Sequence, residues 1–423
     1  MLADLLVSNA AEVLTCAGPA PRIGNAQSDA GRVRDVVIAA HEGRIVFVGS
    51  TSDGRREVSL VPGAAIIDAS DSAVIPGFVD SHTHVVFAGD RRAELGERLA
   101  GSSYAEIAAR GGGILSTVRA TRAATVETLV AATRPRLAEM LANGTTTAEA
   151  KSGYGLTLEG ELTMLRAIAA LDRAQPIDLV PTFMGAHEVP EEFRGRRRDY
   201  VDEVISRMIP AVARERLARW CDVFCEDGVF TPDESAEILD AGRGHGLAPR
   251  IHANELGHSG GVAVAARIGA RSADHLVFVD DDEADALARA GVVATLLPAA
   301  AFYLKLGRFA PARNLITRGV AVALATDVNP GGGLSPSMPF VLTLACFGMG
   351  LTFEEALVAA TLNAAYGLDV SDDVGSIEIG KRCDLVVVEG PSENLLRVGA
   401  ETIRYVIKDG RVAGGARNVP ESL

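Results

Sequence analysis

Residues 74–89 read VIPGFVDSHTHVVFAG. An apolar run, 74–79, ends at Asp80 and leads at once into His82 and His84. Side chains at i and i+2 of an extended chain share one side. Two imidazoles at the end of a strand therefore point to one spot, where they can bind one metal ion. An HxH alone is a weak signal. An apolar strand ahead of it, closed by an acid, makes it half of a metal site.

The same arrangement recurs along the chain. Short β-like runs cover 74–79, 145–150, 177–183, 222–225, 249–252, 271–275, 292–297 and 320–326. Amphipathic or Ala-rich stretches lie between them, among them 123–142, 161–174, 199–219, 232–244 and 280–290. Strand–helix alternation means parallel strands joined by crossovers, and eight such units match a (β/α)8 TIM-like barrel. A doubly wound open sheet is the rival. It would carry a phosphate-type glycine fingerprint after its first strand, whereas the glycines at 111–113 follow no strand and read as a loop. Both ends of the chain differ from the middle. VVIAA, RIVFVGS and AAIIDA near the start and GSIEIGKRCDLVVVEG and IRYVIKDGRV near the end have strand patterning, with Asp409-Gly410 a tight-hairpin signal. The expected division is a small antiparallel β-sandwich domain, 1–72 plus 372–423, split by a barrel at 73–371.

Three more runs end as the first one does: His252 closes one, His275 the next and Asp327 the last. Active-site groups of barrels gather at the C-terminal ends of strands. Any one of them could be an ordinary hydrogen-bonded group, but chance does not readily place His or Asp at all four. His82, His84, His252 and Asp327 supply three nitrogens and one oxygen, a set suited to Zn2+ or Fe rather than to Ca2+ or Mg2+. A metal with an open position lowers the pKa of its water to about 7. Asp327 could take the proton of that water, and His275 could orient it and stabilise developing charge. Glu255, three residues after His252, reads equally as a proton carrier or as a solvated loop residue. These groups together predict metal-assisted hydrolysis of a C–N bond.

The chain has 423 residues, 48% hydrophobic and 23% charged, with 41 Lys+Arg against 55 Asp+Glu and a net charge of −14. That balance argues against nucleic acid, which needs a basic footprint. It does not exclude one small carboxylate, because a local field can oppose the net charge. The longest uncharged stretch, 328–353, holds three prolines and a glycine run and is not a membrane span. The N-terminus lacks a basic segment before an apolar core. Five scattered cysteines, Cys16, Cys221, Cys225, Cys346 and Cys383, do not form a disulfide framework. A soluble, cytoplasmic protein is expected.

An HxH at the first strand, His at the fifth and sixth and Asp at the eighth resemble the layout of the amidohydrolase superfamily. DSAVIPGFVDSHTH and GSIEIGKRCDLVVVEG resemble its paired barrel boundaries, so the likeness spans essentially the whole chain. Within that superfamily FAGDRRAEL, GGGILSTVRATR, EAKSGYGL, FMGAHEVP, IHANELGHSGG, SADHL and ATDVNPG are similar to enzymes of histidine degradation. Those enzymes hydrolyse 4-imidazolone-5-propanoate to N-formimidoyl-L-glutamate with one bound zinc or iron. The resemblance implies His82, His84, His252 and Asp327 as metal ligands, with Glu255 and His275 serving the water and the ring. It implies Arg91, Tyr154, His187, Glu255, Asn329, Gly331 and Gly332 as the grip on a small molecule bearing a propionate carboxylate, and a homodimer. An Arg fork suits a carboxylate. His187 is expected to donate to the polarised ring. Some relatives bridge two metals with a carboxylated Lys after the fourth strand; Lys151 follows the second, so one metal is expected. One departure stands out: the family often has a hydroxyl residue where this chain has Gly332, whose N–H could replace the lost contact. The alternatives are another mononuclear cyclic amidohydrolase or aminohydrolase, guanine-deaminase-like, and a non-catalytic barrel with a degenerate site. The second would show a missing ligand, and all are present.

Overall fold

A computed structural model describes residues 1–101, 106 and 110–415. Eight strands run parallel around a nearly closed barrel: β1 (Phe78–Asp80), β2 (Thr145–Lys151), β3 (Asp178–Ala186), β4 (Trp220–Cys225), β5 (Ile251–Ala253), β6 (Ser272–His275), β7 (Val293–Leu296) and β8 (Val322–Leu324). Each pairs with its sequence neighbour, β1 to β2 and so on to β8. The seam between β8 and β1 is sealed just beyond the strand ends. There the Asp327 N–H donates to the His82 carbonyl and the His84 N–H to the Val328 carbonyl, each at 3.0 Å. The Thr326 N–H and hydroxyl both donate to the Asp80 carboxylate, at 3.0 and 2.6 Å. The segments that close the barrel thus carry three of the four expected metal ligands, His82, His84 and Asp327.

Helices cover the outside, and their starts are written in the sequence. Val126–Ala142, Leu158–Asp172, Pro232–Gly244 and Asp281–Ala290 begin at Thr125, Thr157, Thr231 and Asp280, whose side chains accept the N–H three residues on. This satisfies amides that the helix itself leaves open. The stretch expected as one helix at 199–219 is helical over 197–215, with a wider π turn at Val204–Met208.

Two expectations change. The run 74–79 is not one strand. Ser72–Pro76 pairs with Leu385–Glu389 and with Glu12–Leu14 in a terminal sheet, and the barrel strand starts only at Phe78. Gly77 makes the transfer between sheets: a Cβ there would overlap the Thr146 side chain. The terminal sheets are also not purely antiparallel. Arg44–Ser50, Val36–His41, Leu2–Ser8 and Ser59–Asp68 form one sheet. Arg411–Gly414, Ile403–Lys408, Leu385–Glu389, Ser72–Pro76, Glu12–Leu14 and Arg32–Val33 form the other, joining both ends of the chain. Leu2–Ser8 pairs parallel with Ser59–Asp68 on one edge and antiparallel with the 36–50 hairpin on the other. The two sheets face each other as a sandwich over Leu5, Val7, Ile38, Ile67, Val74 and Leu385, all buried. The Asp409-Gly410 turn is present, with both residues at positive φ. Residues 416–423, assigned to this unit from sequence, lie outside the described residues. Among the described residues no helix is long and apolar enough to cross a membrane.

Candidate active site

The donors converge where the seam closes. His82 and His84 lie on the extended chain just past β1, His252 sits within β5, and Asp327 follows β8. One ligating nitrogen from each of His82, His84 and His252 lies within 4.8 Å of the other two. Asp327 Oδ1 is 3.6 Å from His82 Nε2 and 3.8 Å from His84 Nε2. The backbone is held in the left-handed region at Asn254, His275, Leu276 and Asp327. Such conformations cost energy for non-glycine residues and cluster at functional sites.

The donor atoms are buried and unspent. His82 Nε2 and Asp327 Oδ1 have no hydrogen-bond partner, which is costly for buried polar atoms. His84 Nε2 faces His252 Nε2 at 3.3 Å. Burial, the largest cause in each, holds the imidazoles of His82, His84 and His252 well below their ordinary pKa, hence neutral and able to ligate. Burial pushes Asp327 up to about 8 when no cation is present. Three neutral imidazoles and one uncompensated carboxylate fit one N/O-ligated transition-metal ion.

Behind this rim lies a layer of charge that the sequence did not reveal. His82 Nδ1 bonds Asp274 at 2.7 Å, and His252 Nδ1 bonds Asp222 at 3.1 Å. Such carboxylates fix the tautomer so that the opposite nitrogen faces the metal. Lys151 Nζ sits 2.6 Å from Asp222 and 2.8 Å from Glu149, and Arg250 Nε is 3.1 Å from Glu149. All five side chains are fully buried. Burial opposes the Lys151 charge, but Asp222 and Glu149 outweigh it and raise its pKa. Lys151 is therefore a held ammonium group. Each of the five belongs to a strand or to the residue just before one, a position that in sequence reads as an interruption of apolar patterning.

Arg91 and Glu94 are buried together, with Arg91 Nε donating to Glu94 Oε2 at 2.7 Å. Glu94 Oε1 accepts the Gly113 N–H at 3.0 Å, which ties the glycine run to the arginine. The guanidinium lies over Gly331, where a Cβ would overlap it. Tyr154 is buried beside His84 and His187, with ring centroids 5.9 and 5.3 Å away. His187 stacks on His84 at 4.7 Å and 19°. Its Nδ1 lies 3.0 Å from the Gly153 carbonyl, and burial lowers its pKa to about 4. The neutral ring thus donates from Nδ1, and Nε2 is an acceptor, the reverse of the donor role expected from sequence. His275 Nδ1 is 3.6 Å from Glu255 Oε1. Burial lowers His275 to about 4 and, with Asp327 and Glu226 adding to it, raises Glu255 well above its usual range.

Asn329 is used inside its own loop. Its Nδ2 donates to the Asp327 carbonyl at 2.8 Å, and its Oδ1 accepts the N–H groups of Gly331 at 2.8 Å and Gly332 at 2.5 Å. The Gly332 N–H already has this partner, so it does not replace a lost hydroxyl contact in this arrangement. A Cβ at Gly332 would meet only ordinary van der Waals neighbours at 3.6 Å, whereas one at Gly333 would overlap the Asp327 carbonyl. His258 lies on the surface against Glu283, away from this cluster.

Residues 73–416 match the model of the amidohydrolase family. Solved structures agree in fold. A zinc-bound adenosine deaminase from Xanthomonas campestris superposes with a TM-score of 0.71 at 19% identity, covering 99% of this chain and 95% of that one. E. coli guanine deaminase gives 0.70 at 16%, covering 98% and 99%. The class that fold and site define is therefore the amidohydrolases. Sequence relatives narrow it. The chain is 49% identical over 412 residues to the imidazolonepropionase of Symbiobacterium thermophilum, covering 97% of each. It is 45% identical over 410 residues to that of Parabacteroides distasonis, covering 96% of this chain and 98% of the other. The chain belongs to the imidazolonepropionases, hydrolases of the amidohydrolase family.

Proposed function

We propose that this chain hydrolyses 4-imidazolone-5-propanoate to N-formimidoyl-L-glutamate, with one zinc or iron ion held by His82, His84, His252 and Asp327. The observation that carries the reading is the convergence of unspent, buried donors at the barrel mouth in a chain this close to imidazolonepropionases along its whole length. A metal bound there supplies an acidified water and polarises the ring carbonyl. The rest falls to the chain's own side chains. Asp327 Oδ1 takes the proton of the attacking water. Neutral His275 supports charge developing on the carbonyl oxygen. Glu255, kept protonated by burial, delivers a proton to the ring nitrogen as the C–N bond breaks and recovers one from Asp327. His187 Nε2 accepts a ring N–H. Arg91, seated on Gly331, and Tyr154 grip the propionate end, while Asn329 shapes the 329–333 loop.

The reading assigns catalysis to the barrel at 73–371, supported by the small unit from 1–72 and 372–423. It places the protein in the cytoplasm as a homodimer. Five free cysteines, four of them buried, support a reducing compartment. Phe347, 80% exposed on the helix Met338–Met349, supports a face covered by a second copy. The test is to supply imidazolone propionate, formed in place from urocanate by urocanase, to the metal-replete protein and follow its ultraviolet absorbance. Loss of absorbance is expected; none would overturn the substrate assignment. Metal analysis of the protein as purified decides between zinc and iron.

A further inference from the structure

The KSGYGL segment, 151–156, presents Tyr154 to the site, and one carbonyl in it, that of Gly153, fixes the His187 tautomer. Beyond β2 it keeps one ladder bond, from the Ser152 N–H to the Thr182 carbonyl of β3 at 3.0 Å. Its far half is held from two sides: the Arg122 guanidinium donates to the carbonyls of Gly155 at 2.6 Å and Leu156 at 3.1 Å, and one fully buried carboxylate from the first turn of the helix Leu158–Asp172 takes the N–H groups. Glu161 accepts the N–H groups of Gly153 at 3.0 Å, Gly155 at 2.9 Å and Leu156 at 2.8 Å. Ser152 Oγ accepts the Met184 N–H at 2.9 Å from β3. A carboxylate has the acceptor capacity for such a set, and an amide does not.

The backbone around it is committed to this shape. Leu156 stands at positive φ, as does Gly153. A Cβ on Gly155 would overlap the Gly160 backbone, and one on Gly153 would come within 2.9 Å of His187 Nδ1. The loop therefore packs directly on the helix end and on the substrate-facing imidazole. Backbone held in sparsely populated conformations persists only where its surroundings over-determine it. Here Glu161 takes the N–H groups of the loop, and Arg122 takes two of its carbonyls.

We propose that Glu161 is a positioning residue for substrate. It clamps residues 152–156 so that Tyr154 faces the pocket and the Gly153 carbonyl holds His187 with Nε2 open to a ring N–H. This inference rests on the substrate-facing roles given above to Tyr154 and His187. The distinct consequence is a site that binds substrate poorly while keeping its metal, because Glu161 touches none of the four ligands.

The experiment compares wild type, Glu161→Gln and Glu161→Asp, each metal-replete, with His187→Ala as the reference. Glu161→Gln swaps an acceptor for a donor facing backbone N–H groups. Glu161→Asp keeps the charge but draws it back from the loop. Both should bind metal at the wild-type ratio and show faster amide exchange in a peptide covering 152–156 than elsewhere in the barrel. KM should rise about tenfold or more, with kcat changed less than threefold. In the double variant Glu161→Gln/His187→Ala, the rise in KM should fall short of the product of the two single effects, since the His187 contact is lost in both single variants. Faster exchange at 152–156 with unchanged KM would overturn the proposal, as would full additivity with His187→Ala. If Glu161→Gln does not fold, Glu161→Asp carries the same criteria. If His187→Ala itself leaves KM unchanged, the substrate-grip reading fails, and this inference fails with it; unaltered exchange in the Glu161 variants would instead refute the clamp alone.

Discussion

The rim of the barrel and the layer directly behind it are both built from titratable side chains, on opposite terms. At the rim, His82 Nε2 and Asp327 Oδ1 are buried without partners, and the imidazoles are neutral. Behind it, Glu149, Lys151, Asp222, Arg250 and Asp274 form a continuous ionic network. The rim donors are held from behind. Asp274 and Asp222 orient His82 and His252 from the far side, and Lys151 and Arg250 hold those carboxylates in turn. Breaking one partner of a buried charged set leaves an uncompensated charge, which is costly.

The contrast predicts graded effects. Removing a rim donor should be the most severe: Asp327→Ala takes away a metal ligand and the proton acceptor together. We expect kcat/KM to fall about 10³-fold or more, with metal content well below one ion per chain; full metal retention would remove Asp327 from the ligand set. Asp222→Asn keeps the shape behind His252 and deletes one charge. It should cost roughly 10–100-fold in metal affinity or activity, the usual toll of a residue that orients a ligand. An effect as large as that of Asp327→Ala would erase the distinction between the two layers.

Acid should act on the neutral imidazoles first. In the folded protein His187 stays neutral down to about pH 4, whereas in the unfolded chain it titrates near 6.5. Between those values the unfolded state binds more protons, so stability falls as pH falls. This one residue accounts for about 2 kcal/mol lost between pH 7 and pH 5. Melting temperatures of wild type and His187→Asn at the two pH values should show the smaller decline in the variant; equal declines would mean that His187 is not the group responsible. The mildest change should be Gly332→Ser, whose Cβ meets only ordinary van der Waals neighbours at 3.6 Å. It should leave metal content and stability as they are and shift KM less than about threefold.

The two layers also differ in how far the sequence exposes them. The rim donors close apolar runs, and a polar group at the end of a strand is visible in one dimension. The barrel was legible for the same reason, from eight apolar runs with amphipathic or Ala-rich stretches between them. The ionic layer was not, because its members meet only across strands: Asp222 and Lys151 are 71 residues apart in the chain, and nothing local marks them as partners. The shift of Ser72–Pro76 into the terminal sheet was hidden by Gly77, whose missing side chain matters only against Thr146. The reversed role of His187 depended on the Gly153 carbonyl, a backbone atom that sequence does not distinguish.

Hydrolysis is assigned to one metal ion per chain at the four rim donors. Titrating zinc or ferrous iron into chelator-stripped protein, while following both bound metal and loss of imidazolone propionate, tests it most directly. Activity should rise in proportion to bound metal and level off at one equivalent per chain. A plateau at two equivalents, or full activity in the stripped protein, would contradict it.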